Sequence, residues 1–146
     1  MRIESEVKLD FSDVLIRPKR STLGSRKEVD LLRSYTFRNS EGEYIGVPIM
    51  ASNMDGVGTF EMADALLKEG MFTCLVKTYS ASDLLEYFSN DSKRREYVAM
   101  SVGIAEHDLE KLDRVMGTSP VKYLCIDVAN GYSERFATIV EQIRNK

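Results

Sequence analysis

Short apolar runs alternate with amphipathic stretches along most of the chain. Four apolar runs centre near Val47, Phe72, Val98 and Tyr123, which places them 25 or 26 residues apart. Each run is followed by a stretch in which apolar residues recur at intervals of three and four, the pattern of a helix with one buried face. Strands that alternate with helices in this way predict a parallel sheet with right-handed crossovers. We therefore predict an α/β fold with four strand–helix units over residues 44–146.

Capping residues mark where three of the predicted helices begin. Thr59 precedes the first helix, and Gly70 follows its last apolar residue. Ser80 and Asp83 have the spacing of a capping box before the second helix, and Ser133 is placed to cap the last one. These signals place the helix starts directly after the predicted strands.

The first part of the chain lacks this alternation. We expect residues 1–43 to form an arm, with an extended segment over 11–16 that is stopped by Pro18. Strands are expected on both sides of the polar turn at 39–42. The arm and the four strand–helix units together are expected to make a single domain over residues 1–146.

Two architectures accommodate four such units. One is a small open, doubly wound sheet, and the other is part of a (β/α)8 barrel. A closed barrel needs eight units and typically about 250 residues, whereas this chain has 146 residues and four units. The residue pattern alone leaves both architectures open.

Composition narrows the classes of protein that the chain can belong to. It is 43% hydrophobic and 29% charged, its apolar runs are shorter than the ~18 residues of a membrane span, and its amino terminus does not resemble a signal peptide. We expect a cytoplasmic globular protein without a membrane partner. Cys74 and Cys125 lie in apolar strand runs and are expected to be reduced core residues. The single histidine, His107, cannot form a metal site by itself, and no metal ligand set is predicted.

Charge is distributed unevenly along the chain. The net charge is −3, but residues 1–40 contain nine lysines and arginines against six acidic residues. Residues 17–27 contain five cations and no acid. This segment is either a solvated loop or a contact for a phosphate group. Nucleic acid is disfavoured as a partner because the rest of the chain is acidic and no aromatic residues interleave with the cations.

Three loops that follow predicted strands carry polar residues. Asp55 lies in a loop with two glycines after the first strand, Lys77 ends the second strand and Asp127 ends the fourth. Because the carboxyl ends of parallel strands meet at one edge, we expect these side chains to share a rim. Ordinary turn and strand-end residues are the alternative for each of them. A site with both signs of charge can hold a neutral carboxamide beside an anionic substrate.

Several segments of the chain resemble GMP reductases, which belong to the IMP dehydrogenase/GMP reductase family. The matching segments are residues 8–15, 17–21, 46–49, 52–55, 57–63 and 127–133. The resemblance covers essentially the whole chain but only the amino-terminal half of a family member. IMP dehydrogenases share the barrel and are the alternative within the family. The short connection from the second to the third strand and the amino-acid sequence of the 127–133 loop favour the reductase.

The resemblance implies the first half of a (β/α)8 TIM barrel and the NADPH-dependent reductive deamination of GMP to IMP and ammonia. It places the nucleophilic cysteine and a potassium site in the second half of the barrel. The 146-residue chain alone is therefore expected to be inactive, and an inactive homologue that acts as a scaffold or pairing partner is the alternative. The resemblance also implies a homotetramer.

The resemblance assigns roles to individual residues. The residues that it places at the nicotinamide end of NADPH are Lys77, Asp127, Val128 and Ala129. Lys77 is also implied as an auxiliary catalytic group that helps the amine to depart. Ser25 and Arg26 are expected at the adenosine or phosphate end of a cofactor held by a neighbouring subunit, and Met54 near the purine. Val76 and Thr78 replace histidines that are usual in the family, which predicts altered activity or substrate preference.

Overall fold

A computed structural model describes residues 3–40 and 42–145. The chain forms two compact units, Met1–Asp30 and Leu31–Lys146. The first unit contains two 3₁₀ turns, Phe11–Asp13 and Arg26–Glu28. The prediction that residues 11–16 are extended throughout is wrong at the start of this segment. The Asp10 carboxylate accepts a hydrogen bond from the Phe11 N–H at 2.7 Å and caps a local turn instead.

The second unit begins with an antiparallel hairpin. Strand β1, Arg33–Thr36, pairs with β2, Glu43–Gly46, and the register runs from Arg33 opposite Gly46 to Thr36 opposite Glu43. The predicted polar turn at 39–42 falls between the two strands, with residue 41 outside the described residues, and the Phe37 N–H donates to the Gly42 carbonyl at 3.0 Å. The predicted arm over 1–43 thus includes all of β1 and the first residue of β2.

A four-stranded parallel sheet follows the hairpin. Its strands are β3, Met50–Ala51; β4, Phe72–Cys74; β5, Val98–Val102; and β6, Tyr123–Ile126, and they lie in the order β3-β4-β5-β6. The prediction that the first of these strands centres near Val47 is wrong. Pro48 has no N–H to donate to a ladder, and the parallel pairing starts only at Met50, opposite Phe72.

Each parallel strand is followed by helical structure. The helices are α1, Phe60–Lys68; α2, Ala81–Asn90; α3, Arg94–Tyr97; α4, Glu106–Thr118; and α5, Glu134–Arg144. The predicted caps are confirmed at Thr59, Ser80 and Ser133, whose hydroxyl oxygens accept hydrogen bonds from the first turns of α1, α2 and α5. None of the helices in the described part of the chain is long and apolar enough to cross a membrane.

The sheet separates two apolar clusters. One contains Val98, Met100 and Val102 of β5 together with side chains of the helices. The other contains Ala99 of β5 together with Phe72, and faces away from the helices. Because side chains alternate along a strand, one buried strand supplies both clusters. Sequential parallel strands with helices outside and a second apolar cluster inside are the arrangement of consecutive units in a (β/α)8 barrel.

Candidate active site

A charged pair lies at the carboxyl end of the sheet. Asp127 follows β6 directly, and its N–H donates to the Val102 carbonyl at 2.8 Å, so it continues the pairing with β5. Lys77 lies in the loop after β4, and its Nζ is 3.2 Å from Asp127 Oδ2. The pair therefore reaches across the end of β5, which lies between β4 and β6. The side chains are 47% and 34% exposed, which leaves both accessible to a ligand.

The loop that carries Lys77 is pressed against the loop after β3. The Val76 N–H donates to the Gly58 carbonyl at 2.8 Å. A Cβ at Gly58 would lie 2.4 Å from the Cys74 carbonyl oxygen and 2.8 Å from the Val76 nitrogen. Both obstacles are backbone atoms, so only glycine permits this approach. The glycine noted in the sequence therefore serves packing between two loops of the rim.

Aromatic stacking fixes the other side of the same loop. The Tyr79 ring stacks on Phe60 with centroids 3.8 Å apart, and its hydroxyl accepts a hydrogen bond from the Phe60 N–H at 3.2 Å. Phe60 stacks in turn on Tyr87 at 4.2 Å, and the Arg94 guanidinium lies 4.0 Å above the Tyr87 ring. This column ties the loop after β4 to helices α1, α2 and α3.

The far end of the column is closed by a hydrogen-bonded carboxylate. Arg94 donates to both oxygens of Asp64, each at 2.9 Å, and the Tyr87 hydroxyl donates to Asp64 Oδ1 at 2.9 Å. Burial, reinforced by the Asp64 carboxylate, raises the pKa of the Tyr87 phenol. The hydrogen bond to Asp64 fixes the Tyr87 hydroxyl as a donor at this end of the column.

Helix α4 contributes a contact that the sequence analysis missed. Lys111 Nζ donates to the Lys77 carbonyl at 2.6 Å and to the Tyr79 carbonyl at 3.5 Å. Burial lowers the pKa of Lys111, the Asp108 carboxylate opposes this shift, and the Lys77 charge adds to it. No spacing rule connects a helix residue with a loop 34 positions earlier, so the sequence offered no signal for this contact.

The remaining predicted residues occupy more exposed positions. Met54 is 62% exposed, in a loop that turns at Gly56 with a φ of +71°. Val128 is half-buried and Ala129 is exposed, directly after Asp127. Asp55 is exposed as well. Of the three predicted rim charges, the ion pair recorded within residues 3–40 and 42–145 joins only Lys77 and Asp127.

Ser25 and Arg26 lie in the first unit and are exposed there. The Ser25 hydroxyl oxygen accepts a hydrogen bond from the Lys27 N–H at 3.3 Å and so caps the short 3₁₀ turn. The hydroxyl proton of Ser25 and the guanidinium of Arg26 are donors, which is the chemistry that a phosphate requires.

The two cysteines lie on the face of the sheet that points away from the helices. Cys74 is buried on β4, and Cys125 is half-buried on β6. Interaction between the two thiols raises the pKa of Cys74 and lowers that of Cys125, while burial raises both; the Cys74 thiol donates to Met50 Sδ at 3.5 Å. Both cysteines line an open cavity of about 360 Å³ below the rim. Neither lies in a loop at the carboxyl end of the sheet.

The fold and the position of the charged pair define a class of protein. Active sites of (β/α)8 barrel enzymes lie at the carboxyl ends of the strands and are built from the βα loops. The Lys77–Asp127 pair lies at this end, on loops of two different units. The chain therefore has the fold of consecutive units of a (β/α)8 barrel, with a charged pair at the end where the enzymes of this fold carry their active sites.

Comparison with known proteins shows the family. Residues 8–146 match the model of the IMP dehydrogenase / GMP reductase domain, and the chain belongs to this family. It is 52% identical over 145 residues to GMP reductase 2 of Bos taurus and 49% identical over 146 residues to GMP reductase 1 of Rattus norvegicus. Each alignment covers 99% of this chain and 42% of the relative, so the chain spans less than half the length of these proteins.

A solved structure confirms the fold. The crystal structure of inosine 5′-monophosphate dehydrogenase from Legionella pneumophila matches with a TM-score of 0.73 and 22% identity, over 92% of this chain and 40% of that one. The prediction of parallel strand–helix units from a TIM barrel is thereby confirmed. The open, doubly wound sheet is excluded.

Proposed function

We propose that the chain supplies the cofactor-binding half of a GMP reductase, which converts GMP to IMP and ammonia with NADPH. The Lys77–Asp127 pair at the carboxyl end of the sheet is the observation that carries the proposal. The relatives that are about half identical over nearly the whole chain, each named GMP reductase, support this choice of reaction.

The pair fits the carboxamide of a nicotinamide ring. A carboxamide has one oxygen that accepts and one nitrogen that donates hydrogen bonds. The Lys77 ammonium supplies donors, and the Asp127 carboxylate supplies acceptors. Both side chains are partly exposed at the rim, where a ligand can reach them, and Val128 and Ala129 extend the same strand end. When bound, NADPH supplies the hydride for the reduction.

Lys77 has a second role in the proposal. Its ammonium carries protons at the mouth of the site, beside a carboxylate that keeps it oriented. A proton held at this atom can stabilise the amine that leaves the purine, which is general acid assistance. Met54, exposed on the neighbouring loop, is proposed to contact the purine. Val76 and Thr78 stand where the family usually has histidines, so no imidazole flanks Lys77 in the sequence. The proposed reaction therefore relies on no histidine at these two positions.

The basic segment of the first unit is proposed to act on another subunit. Ser25 and Arg26 would bind the adenosine or phosphate end of NADPH held by a neighbouring chain, within a homotetramer. Their exposure and donor chemistry support this role. We place the reaction in the cytoplasm, where thiols such as those of Cys74 and Cys125 stay reduced.

The segment of 146 residues is not expected to complete the reaction by itself. Both of its cysteines lie in strands inside the sheet, whereas a covalent step on the purine needs an accessible thiolate. We therefore assign the nucleophile to no residue of this segment. The potassium ion implied by the family is likewise proposed to bind in the second half of the barrel.

Stoichiometry tests the proposed reaction directly. The protein as isolated from its source is incubated with NADPH and GMP, and IMP, ammonia and NADP⁺ are quantified. We expect the three products in equal amounts, and no NADPH oxidation by the purified 146-residue segment. Reduction of NAD⁺ with IMP, without NADPH oxidation by GMP, would instead identify a dehydrogenase. Absence of both reactions would contradict the proposal and favour a scaffold or pairing role.

A further inference from the structure

Lys111 reaches the candidate active site from outside the rim. It lies half-buried on the second turn of α4, and its ammonium bonds to the Lys77 and Tyr79 carbonyls at 2.6 and 3.5 Å. These two carbonyls lie on either side of Thr78. A single charged donor therefore fixes the main chain of the loop at two points, and hydrogen bonds from a charged donor are among the stronger ones in proteins.

The other contacts of the loop after β4 hold residues on either side of Lys77 but not the Lys77 carbonyl. The Val76 N–H is held by the Gly58 carbonyl at 2.8 Å, and the Tyr79 ring is held by Phe60 at 3.8 Å. Those contacts fix the residues before and after Lys77. The main-chain carbonyl of Lys77 itself is held by Lys111, while the Lys77 side chain extends to Asp127, 3.2 Å away.

The charges around Lys111 fit a role in orientation rather than in proton transfer. The groups that face it are Asp108, one turn earlier on α4, and Lys77 in the loop. Asp108 is itself held by the Ala105 N–H and is only 13% exposed. Burial lowers the pKa of Lys111, and the Asp108 carboxylate opposes this shift. The Lys111 Nζ is directed at carbonyl oxygens instead of the open site.

We propose that Lys111 is a positioning residue for NADPH: it holds the main chain of Lys77 so that the Lys77 ammonium faces Asp127 and the nicotinamide. This inference rests on the proposed function. It adds a residue on a different helix, outside the segments whose resemblance pointed to the cofactor site. Arg135 of α5 makes a related contact, donating to the Ile104 carbonyl in the loop after β5 at 3.1 Å, so a loop carbonyl is held in both cases by the helix that follows the next strand.

Three variants of the protein, as isolated with its full chain, test the proposal. Lys111→Met removes the donor and keeps the length and most of the volume, Lys111→Arg keeps a charged donor, and Arg114→Met removes an exposed cation from the same helix as a matched control. We expect Lys111→Met to raise the KM for NADPH about tenfold and to leave the KM for GMP unchanged. Lys111→Arg should recover most of the loss, and Arg114→Met should match the parent.

The pattern of kinetic changes separates positioning from general destabilisation. Loss of folded protein lowers the apparent kcat and moves neither KM. Unchanged NADPH KM in Lys111→Met, an equal rise in both KM values, or no recovery by Lys111→Arg would each overturn the proposal. If Lys111→Met does not fold, Lys111→Gln, which keeps a polar but uncharged side chain, is measured against the same predictions.

Amide hydrogen exchange decides the matter if the proposed function fails. If the parent does not oxidise NADPH with GMP, the proposed function is wrong, and the positioning role for NADPH falls with it. The loop-holding contact is then tested alone by exchange at residues 77–79. We expect the exchange to speed up about tenfold in Lys111→Met and to stay unchanged in Arg114→Met. Unchanged exchange in both variants would show that Lys111 does not hold the loop.

Discussion

The two ends of the parallel sheet use polar side chains in opposite ways. At the amino end, side-chain hydroxyls donate hydrogen bonds to backbone carbonyls of the hairpin region. The Tyr44 hydroxyl donates to the Val47 carbonyl at 3.0 Å, and the Tyr97 hydroxyl donates to the Ile45 carbonyl at 3.0 Å. The rings of Tyr44, Phe72 and Tyr97 pack edge to face, with centroids 5.8 and 5.9 Å apart.

At the carboxyl end, the backbone is held by other groups, and the charged side chains stay available. Gly58, Phe60 and Lys111 hold the loop after β4. Lys77 and Asp127 meet each other with about half and a third of their side chains exposed. Side chains at the amino end of the sheet are thus engaged in packing and backbone contacts, whereas the carboxyl end carries the proposed site, which is the usual division in a barrel.

Truncation of a buried side chain at the amino end of the sheet should cause the largest loss of stability. Tyr44→Ala removes a ring that is only 9% exposed, together with its hydrogen bonds to the Val47 and Gly70 carbonyls. We expect the free energy of unfolding to fall by about 3–5 kcal/mol, measured by denaturant titration. Tyr132→Ala, which removes a fully exposed ring, should cost less than about 0.5 kcal/mol. Equal effects of the two changes would contradict the assignment of stability to this end.

A methyl group at Gly58 should damage the carboxyl end through its backbone. Gly58→Ala places a Cβ 2.4 Å from the Cys74 carbonyl oxygen, and neither backbone segment can move without breaking the contact between the two loops. We expect a loss of about 1–3 kcal/mol in the free energy of unfolding and weaker NADPH binding. Gly117→Ala is the control, since a Cβ there meets open space inside α4. It should be neutral or stabilise by up to about 1 kcal/mol.

Removal of the Lys77 charge should affect binding and spare stability. We expect Lys77→Met to raise the Kd for NADPH about tenfold, as for the loss of one hydrogen bond to a charged group. The free energy of unfolding should change by less than about 0.5 kcal/mol, because the pair with Asp127 is half exposed. Fluorescence titration and denaturant titration measure the two quantities. A large loss of stability with unchanged NADPH binding would reverse the contrast between the two ends.

The surface pair at the amino end should have the smallest effect. The Glu96 carboxylate accepts a hydrogen bond from the Lys122 ammonium and raises its pKa above the ordinary 10.5. A raised lysine pKa stabilises the folded state below pH 10.5, and this contribution is lost as the pH rises further through the folded-state value. Both side chains are well exposed, so Glu96→Gln should cost less than about 0.5 kcal/mol at neutral pH. The difference from the parent should vanish in strongly alkaline solution, and a difference that grows there would be inconsistent with this sign.

Local patterns in the sequence predicted much of this fold. Parallel strands followed by helices, the caps at Thr59, Ser80 and Ser133, and the hairpin all depend on neighbouring residues, which periodicity and turn chemistry describe. The meeting of Lys77 with Asp127 was also predictable in outline, because the carboxyl ends of all strands in a parallel sheet lie at the same edge, although β5 lies between the strands that carry the two residues.

The errors and omissions have physical causes. The first parallel strand begins at Met50 because Pro48 has no N–H to donate to the ladder. Asp10 caps a turn in a segment that was expected to be extended. The contact that sequence reasoning omitted joins Lys111 to a loop 34 positions away, so it depends on how α4 packs beside the loop after β4. Contacts of this kind arise from tertiary packing and leave no periodic mark in the sequence.

The most direct test of the account is a double-mutant cycle on NADPH binding, with Lys77→Met, Asp127→Asn and the two combined in the protein as isolated from its source. If the two side chains bind one carboxamide as a pair, each single change should weaken binding about tenfold, and the double variant should be little weaker than either one. Kd values that stay at the parental level in all three variants would show that NADPH does not bind at the Lys77–Asp127 pair.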